Sequence, residues 1–218
     1  MNFTELLLGI FIGLVTGGIS SFIVWFIVFH VIVPHIEFSD CISKVIDENG
    51  EPTYRIKIEN SGRRPAIDLK VNIRYRVKAS AGAKPFSWLV TYIPFSKDRR
   101  EQIPFLNPVR NKAKAMREVI PLLINDATFE GNIFPDDVKE QYLMGKLTLE
   151  DLFSVGHDHG LQIFVFCYDS FSGTRKIFKS KVYTASDIRP GKFQRYGLGI
   201  AQKALHSKTH EKELAALS

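Results

Sequence analysis

Charged side chains are absent from residues 6–36, where no Asp, Glu, Lys or Arg occurs. The apolar part of this stretch, Leu6–Val33, is 28 residues long. A hydrocarbon core about 30 Å thick needs roughly 20 helical residues, so the segment can cross a bilayer with several residues to spare. The sequence therefore predicts a single N-terminal transmembrane helix that carries all remaining mass on one side of the membrane.

Basic residues are also absent before this helix, because the stub Met1–Glu5 holds no Lys or Arg. A cleaved signal peptide has a basic start and an apolar run of about 7–15 residues, so a retained anchor is favoured. All 29 Lys and Arg follow Val33, against 22 acids (23 minus Glu5), which gives the body a net charge of +7. The positive-inside rule then predicts a single-pass protein of the cell (inner) membrane, with the N-terminus outside and the body cytoplasmic.

Cysteine is scarce, and long basic runs are missing. Cys41 and Cys167 have no neighbours at metal-ligand spacing, which favours two reduced, packed thiols. The pI is near 9.3, but the basic residues alternate with acids and form no run of five or more. This pattern favours anionic membrane lipids over nucleic acid as partners of the excess positive charge.

The body shows the two-residue periodicity of half-buried antiparallel strands. Apolar residues alternate with polar ones over residues 54–59 and 69–76, and the turn signals Glu48-Asn49-Gly50 and Asn60-Ser61-Gly62 separate the runs. The almost continuously apolar run Leu161–Phe166 predicts a central strand buried on both faces. Further strands are predicted at Trp88–Ile93, Val119–Ile124, Leu161–Cys167 and Arg175–Tyr183.

Two helical segments are predicted among the strands, a short one around Asp136–Met144 and a C-terminal one around Gly199–Leu217. A basic, proline-containing connection is expected between Phe95 and Ala115. The fold class is thus a single transmembrane α-helix followed by a mainly-β domain with short helices. The expected division is an anchor at 1–35, a β-domain at 36–195 and a helical or flexible tail at 196–218.

The passage from the apolar helix into the body, Phe29–Asn60, resembles the junction between the inner helix and the cytoplasmic domain of inward-rectifier potassium channels. A proline-containing linker precedes a Phe-Ser strand start, a hairpin with a glycine, and a strand that ends at Asn60. Leu161–Tyr168, the Ser172-Gly173 turn and the segment Tyr183–Phe193 look like that family's closing strands and tail. The resemblance covers roughly Phe26–Gln194.

The resemblance implies an immunoglobulin-like antiparallel β-sandwich that associates around an axis, often as a tetramer. The chain departs from the family at the parts that conduct ions. The first membrane helix, the pore helix and the Thr-Val-Gly-Tyr-Gly filter are all missing, and Val33–Glu37 stands where the family has a basic lipid-binding linker. A potassium-selective channel is therefore not supported.

Small residues recur every four positions along the outer half of the helix, at Gly9, Gly13, Gly17 and Ser21. Stripes of this kind let helix backbones approach each other closely in lipid. The pattern predicts helix association and a homo-oligomer. The alternative is that glycine is simply common in membrane helices. An open pore is weakly supported, because polar residues are few along the helix.

Catalytic and cofactor motifs are mostly absent, and no phosphate-binding loop, nucleophile elbow or paired carboxylates are found. His157 and His159 flank Asp158 in a glycine-bounded loop, which makes them weak candidates for a metal or for hydrolase chemistry. A solvated hairpin tip is the favoured interpretation. His206 and His210 read as an exposed helix face. No cofactor, no metal and no enzymatic activity are predicted.

Three hypotheses for function follow from these features. The favoured one is a membrane-anchored oligomeric sensor or effector whose cytoplasmic domain binds a small ligand or a cytoplasmic protein. The second is a passive scaffold that recruits a partner. The third, least supported, is the His-dependent hydrolase. The residues proposed for partner or lipid contact are basic: Arg63, Arg64, Lys97, Arg99 and Arg100.

Overall fold

The computed structural model describes residues 3–48, 50–78, 88–95, 102–109, 117–127, 129, 136–155, 157–195 and 197–201. It contains one long apolar N-terminal helix and a mainly-β region. The helix α1 spans Phe3–Phe26 and continues as a π-helical segment, Ile27–Val31. Together they form a 29-residue helix that is long and apolar enough to cross a membrane and is not buried against the rest of the chain. The helix ends at Val31, two residues before the predicted end at Val33.

The β-region is built from two sheets. The first sheet has the order β1-β3-β2-β10, with β7 also paired to β3. The pairs are antiparallel except for β10 and β2, which are parallel. The strand bounds are β1 Ile36–Phe38, β2 Ile42–Ile46, β3 Pro52–Asn60, β7 Glu118–Leu122 and β10 Ile188–Pro190.

The second sheet is fully antiparallel and has the order β5-β4-β8-β9, with β6 also paired to β4. Its strands are β4 Ala66–Lys78, β5 Trp88–Ile93, β6 Gln102–Leu106, β8 His157–Asp169 and β9 Arg175–Lys179. Two α-helices, α2 Asp136–Leu143 and α3 Leu149–Ser154, lie between β7 and β8. Short 3-10 turns occupy Ile124–Asp126 and Ala185–Asp187.

Both sheets bury their apolar residues in one hydrophobic core. Ile56 and Ile58 of β3 are fully buried, as are Ile163 and Val165 of β8. The alternation of β4 places its odd-numbered residues from Leu69 to Val77 in this core and leaves its even-numbered residues outside. The two-residue period therefore reports correctly which face of β4 is buried.

The prediction that Leu161–Phe166 is buried on both faces is wrong. The strand is central, lying between β4 and β9, but only Leu161, Ile163 and Val165 are fully buried. Phe164 and Phe166 face outward and are half-buried. The guanidinium groups of Arg74 and Arg175 lie over these two rings.

Several predicted boundaries also change. The predicted strand Val119–Ile124 stops at Leu122, because Ile124 begins a 3-10 turn. The predicted strand Arg175–Tyr183 stops at Lys179, and Tyr183 makes only an isolated bridge to Leu161. The connection expected between Phe95 and Ala115 contains strand β6. Pro104 is accommodated there because β6 pairs with β4 alone and lies at a sheet edge.

The helix expected at Gly199–Leu217 does not begin as one. Ile200 instead bridges to Phe193, and the backbone of Ala201 donates to Lys192 O at 2.8 Å, so residues 200–201 pair with residues 192–193. Lys57 Nζ donates to Gln194 O at 2.6 Å, so the segment at Gln194 covers part of the outer face of the first sheet. The remainder of the expected helix, including His206 and His210, lies outside the described residues.

Candidate functional sites: the helix junction and a basic sheet face

The linker after the apolar helix is held against the loop that follows β3. Asn60, at the end of β3, is fully buried and directs its side chain toward this linker. Its Oδ1 accepts from the backbone N–H groups of His35 and Gly62, both at 3.0 Å. Its Nδ2 donates to the carbonyls of Arg64 at 2.7 Å and Leu106 at 3.0 Å. Four hydrogen bonds thus satisfy one buried amide and join three chain segments.

Backbone hydrogen bonds complete the junction. The N–H of Ser61 donates to His35 O at 2.8 Å, and the N–H of Arg63 donates to Val33 O at 3.1 Å. Pro34 is buried between these contacts. The imidazole of His35 meets the ring of Phe178 edge-on at 5.7 Å. We call the contact between residues 33–35 and residues 60–64 the linker clamp.

Gly62 is essential to the close approach in the linker clamp. A Cβ at this position would lie 2.4 Å from His35 N and from Val33 O, and 2.7 Å from the carbonyl carbon of Pro34. Real Cβ atoms do not approach backbone atoms this closely. The Asn60-Ser61-Gly62 sequence was interpreted as a turn, and the structure shows that it also receives the linker.

An ion pair supports the linker clamp from the β8–β9 side. Arg64 Nη1 lies 3.2 Å from Asp169 Oδ2, and the Asp169 side chain has no solvent exposure. Burial alone raises the pKa of Asp169, but hydrogen bonds from Ser172 Oγ and Phe171 N and the charge of Arg64 outweigh it and hold the pKa below its ordinary value. The pair is therefore charged at neutral pH.

Of the five basic residues predicted to contact a partner or lipid, the structure describes Arg63 and Arg64. Arg63 is exposed at the linker clamp, whereas Arg64 has only 13% of its side chain exposed and pairs with Asp169. The fold thus leaves Arg63 at the surface beside the helix exit and uses Arg64 within the domain. Lys97, Arg99 and Arg100 lie outside the described residues.

The outer face of the second sheet combines cations with apolar side chains. Arg74 stacks over Phe164, with 4.5 Å from its guanidinium carbon to the ring centroid, and lies 5.5 Å from the ring of Tyr92. Arg175 stacks over Phe166 at 5.0 Å. We call this surface the basic face; its outward residues from β4, β5, β8 and β9 are Lys70, Arg74, Arg76, Val90, Tyr92, Phe164, Phe166, Tyr168, Arg175, Ile177 and Lys179.

Acidic side chains are confined to the ends of the basic face, within the part of the chain that the structure describes. Asp68 lies at a β-bulge near the start of β4, with a positive φ of 52°, and Asp158 is 3.4 Å from Lys78 at the other end. Ile177 is 62% exposed and Tyr92 is 53% exposed. Surfaces rich in arginine, aromatic and aliphatic side chains are typical of protein interfaces.

The glycine stripe is open along α1. A Cβ built at Gly9, Gly13 or Gly17 meets no atom within 4 Å, and Ser21 is exposed. The described domain therefore leaves this side of the helix uncovered.

The histidine loop is not a loop in the structure, because His157, Asp158 and His159 begin β8. The imidazole of His159 packs on the ring of Phe153 at 5.3 Å. Asp158 has a φ of 54°, which interrupts the regular backbone of the strand at this point. Among the described residues, no group of three or more His, Cys, Asp or Glu side chains is arranged to hold a metal. Cys41 and Cys167 are free and buried, and burial raises the pKa of Cys167 to about 11.

No family model and no curated protein matches this chain. The linker clamp, the basic face and the apolar helix are the features of the described residues that bear on function. These features place contacts where the helix leaves the β-region and along one sheet.

Proposed function

We propose that the chain is a membrane-anchored, oligomeric sensor or effector, whose cytoplasmic β-domain binds a partner and is coupled to the membrane helix. The linker clamp is the observation that carries this proposal. A passive anchor needs only a flexible tether, whereas residues 33–35 are fixed by two backbone hydrogen bonds and by the buried Asn60 side chain. A displacement of the helix is therefore passed to the domain through hydrogen bonds.

The proposed membrane orientation gains support from the position of Arg63. The closest cation along the sequence, Lys44, lies well beyond the helix, but the linker clamp brings Arg63 to within a hydrogen bond of Val33. Its exposed side chain can then contact anionic headgroups on the cytoplasmic side. The two sheets around one core are in keeping with an immunoglobulin-like sandwich and with the resemblance to inward-rectifier domains, from which we propose a tetramer.

Crosslinking in membranes tests the oligomer. We expect the full-length protein to form adducts up to the tetramer, and Gly13→Leu to lose most of them, because a bulky side chain would separate helices that meet at the glycine stripe. Ile12→Leu, one position off the stripe, is the matched control and should retain the adducts. A protein that stays monomeric in membranes, with and without candidate ligands, would contradict the proposal.

We propose that the partner is an acidic protein surface that binds the basic face. Arginines stacked on Phe164 and Phe166 already occupy these ring faces, which leaves little room for stacked bases. Arg175 is exposed, so its guanidinium can bind a carboxylate. The exposed Ile177 supplies an apolar anchor at the same surface.

A photo-crosslinking residue at Ile177 tests this half of the proposal in native membranes. We expect a discrete protein adduct, and its loss when Arg175→Glu and Lys179→Glu reverse the local charge. The matched control is Arg189→Glu with Lys192→Glu, which makes the same charge change at exposed positions outside the basic face. A nuclease-sensitive adduct, or an adduct indifferent to the charge reversal, would exclude an acidic protein partner.

The scaffold hypothesis differs in what it requires of the helix. A passive scaffold should keep its function when α1 is replaced by an unrelated membrane helix, because only the cytoplasmic surface would matter. The coupled sensor should lose its function in the same chimera, since the glycine stripe would be removed. For the hydrolase hypothesis, the described residues offer no group of three or more His, Cys, Asp or Glu side chains that could hold a metal.

A further inference from the structure

The turn between β8 and β9 presents a large aromatic side chain to solvent. Phe171 is 68% exposed, and the turn is rigidly built around Asp169. Asp169 Oδ1 accepts from Phe171 N at 3.2 Å, and Asp169 Oδ2 accepts from Ser172 Oγ at 2.7 Å. Gly173, at a φ of 65°, donates its N–H to Asp169 O at 2.9 Å. These hydrogen bonds hold the backbone that carries the exposed ring.

The same turn is tied to the linker clamp. Ser170 N donates to Pro65 O at 3.4 Å, and the guanidinium carbon of Arg64 lies 4.2 Å from the Phe171 ring centroid. Arg63, one residue before Arg64, is hydrogen-bonded to Val33, two residues beyond the end of the apolar helix. Consecutive Cα atoms are about 3.8 Å apart, so only a few residue lengths separate Phe171 from the point where the helix ends.

Other apolar side chains are exposed at this end of the domain. Ile67 and Tyr168 are opposite each other in the β4–β8 register and are each 38% exposed. Phe105, opposite Ile67 in the β4–β6 register, is 44% exposed. Arg175 is opposite Tyr168 in the β8–β9 register. Tyrosine and tryptophan are enriched at the headgroup level of bilayers and arginine on the cytoplasmic side, and phenylalanine inserts at the same boundary in proteins that lie on a membrane surface.

We propose that Phe171 inserts into the headgroup region of the bilayer that α1 spans, so that the β-domain contacts the membrane at a second point beside the linker clamp. Arg64 and Arg63 then lie at the level of the anionic headgroups, where cationic side chains are favoured. The inference rests on the proposed membrane span. It adds a membrane contact at Phe171, Ile67 and Phe105, which belong neither to the anchor nor to the basic face.

Depth-dependent fluorescence quenching tests the insertion in the full-length protein. Phe171→Cys carries an environment-sensitive dye, and the protein is reconstituted in vesicles of phosphatidylcholine and phosphatidylglycerol with nitroxide-labelled lipids. The native Cys41 and Cys167 are buried, and the unsubstituted protein treated with the dye gives the background. Ile46→Cys is the matched control, because Ile46 is 56% exposed and pairs with Pro52, at the opposite end of β3 from Asn60.

We expect a blue-shifted emission and quenching by shallow nitroxides at position 171, and neither effect at position 46. A dye at Ile19→Cys, inside α1, reports the span separately through deep nitroxides. Quenching at position 19 without quenching at position 171 overturns the insertion alone, whereas no quenching at either position overturns the span as well. A dye at 171 that is shielded but unquenched, with a crosslink to a second copy, overturns the lipid assignment in favour of a contact between copies.

Discussion

Gly62→Ala is expected to lower the free energy of unfolding by about 3 kcal/mol, because the new methyl group cannot fit without moving backbone. The nearest atoms are the nitrogen of His35 and the oxygen of Val33, both 2.4 Å from the Cβ position. Neither atom belongs to a flexible side chain. Urea unfolding of the full-length protein in detergent, followed by far-UV circular dichroism, measures the change.

Gly199→Ala is the matched control for this substitution. A Cβ at Gly199 meets no atom within 4 Å, and its backbone does not have a positive φ that favours glycine. We expect a change within about 0.5 kcal/mol, as for other surface substitutions. If Gly62→Ala behaved like the control, residues 33–35 would not be held as closely as the linker clamp requires.

Asp169→Ala is expected to destabilise the domain by about 3 kcal/mol, because it leaves the guanidinium of Arg64 largely buried without its carboxylate. The substitution also removes the acceptors of Phe171 N and Ser172 Oγ, which shape the β8–β9 turn. Chemical denaturation at neutral pH measures this loss. Restoration of the wild-type value by Asp169→Asn would show that the charge contributes little.

The contribution of Asp169 should depend on pH with a definite sign. Its folded-state pKa is lower than the ordinary value of about 3.9 for the unfolded chain, so folding favours the ionised form. The stabilisation is therefore fully present above about pH 4 and is lost as the pH falls through the folded-state pKa. The difference between wild type and Asp169→Asn should shrink in acid; a difference that stayed constant or grew would contradict this assignment.

Asp158→Asn provides the control for the buried ion pair, because asparagine tolerates the positive φ of 54° at this position. Asp158 also contacts a cation, but its side chain is 64% exposed and that of Lys78 is 40% exposed. Exposed ion pairs contribute about 0–1 kcal/mol, so we expect almost no loss of stability. The contrast between the two aspartates isolates the effect of burial.

Much of the fold could be predicted from local periodicity. The alternation over residues 69–76 predicts β4 and its buried face, because side chains point to opposite faces of a strand regardless of what the strand packs against. The segment Trp88–Ile93 has the predicted bounds. The unbroken absence of charge in residues 6–36 likewise predicts a helix that needs no packing against the β-region.

Helix α3 was missed, although a local signal was present. Thr148 caps the helix, and Asp151 reaches back to the N–H of Thr148 at 3.0 Å, which completes a capping box. This box uses aspartate where glutamate is usual, and the helix has only six residues. The Thr148–Asp151 capping box therefore indicates a helix start only weakly.

The linker clamp could not be predicted as a contact. Asn60-Ser61-Gly62 is a recognisable turn. The residue that Asn60 contacts in the linker, His35, lies 25 positions earlier in the chain. A single sequence indicates which backbone conformation a residue prefers. It does not indicate which distant segment packs against that residue. The outward position of Phe164 could not be predicted for a similar reason. Its place in an apolar run predicts burial in the core, whereas in the structure its ring is covered by the side chain of Arg74.

The contacts of residues 33–35 are made mostly through backbone atoms, which has a consequence for how this segment can vary. The hydrogen bonds of Val33 O, His35 N and His35 O do not depend on the side chains of these residues, so many substitutions would leave the bonds in place. The number of residues between the helix and these bonds, by contrast, cannot change without moving the helix. One added residue would turn the preceding helix by about 100° about its axis, since 3.6 residues complete a turn. The linker thus sets the phase of the helix through its length and leaves its side chains comparatively free to change.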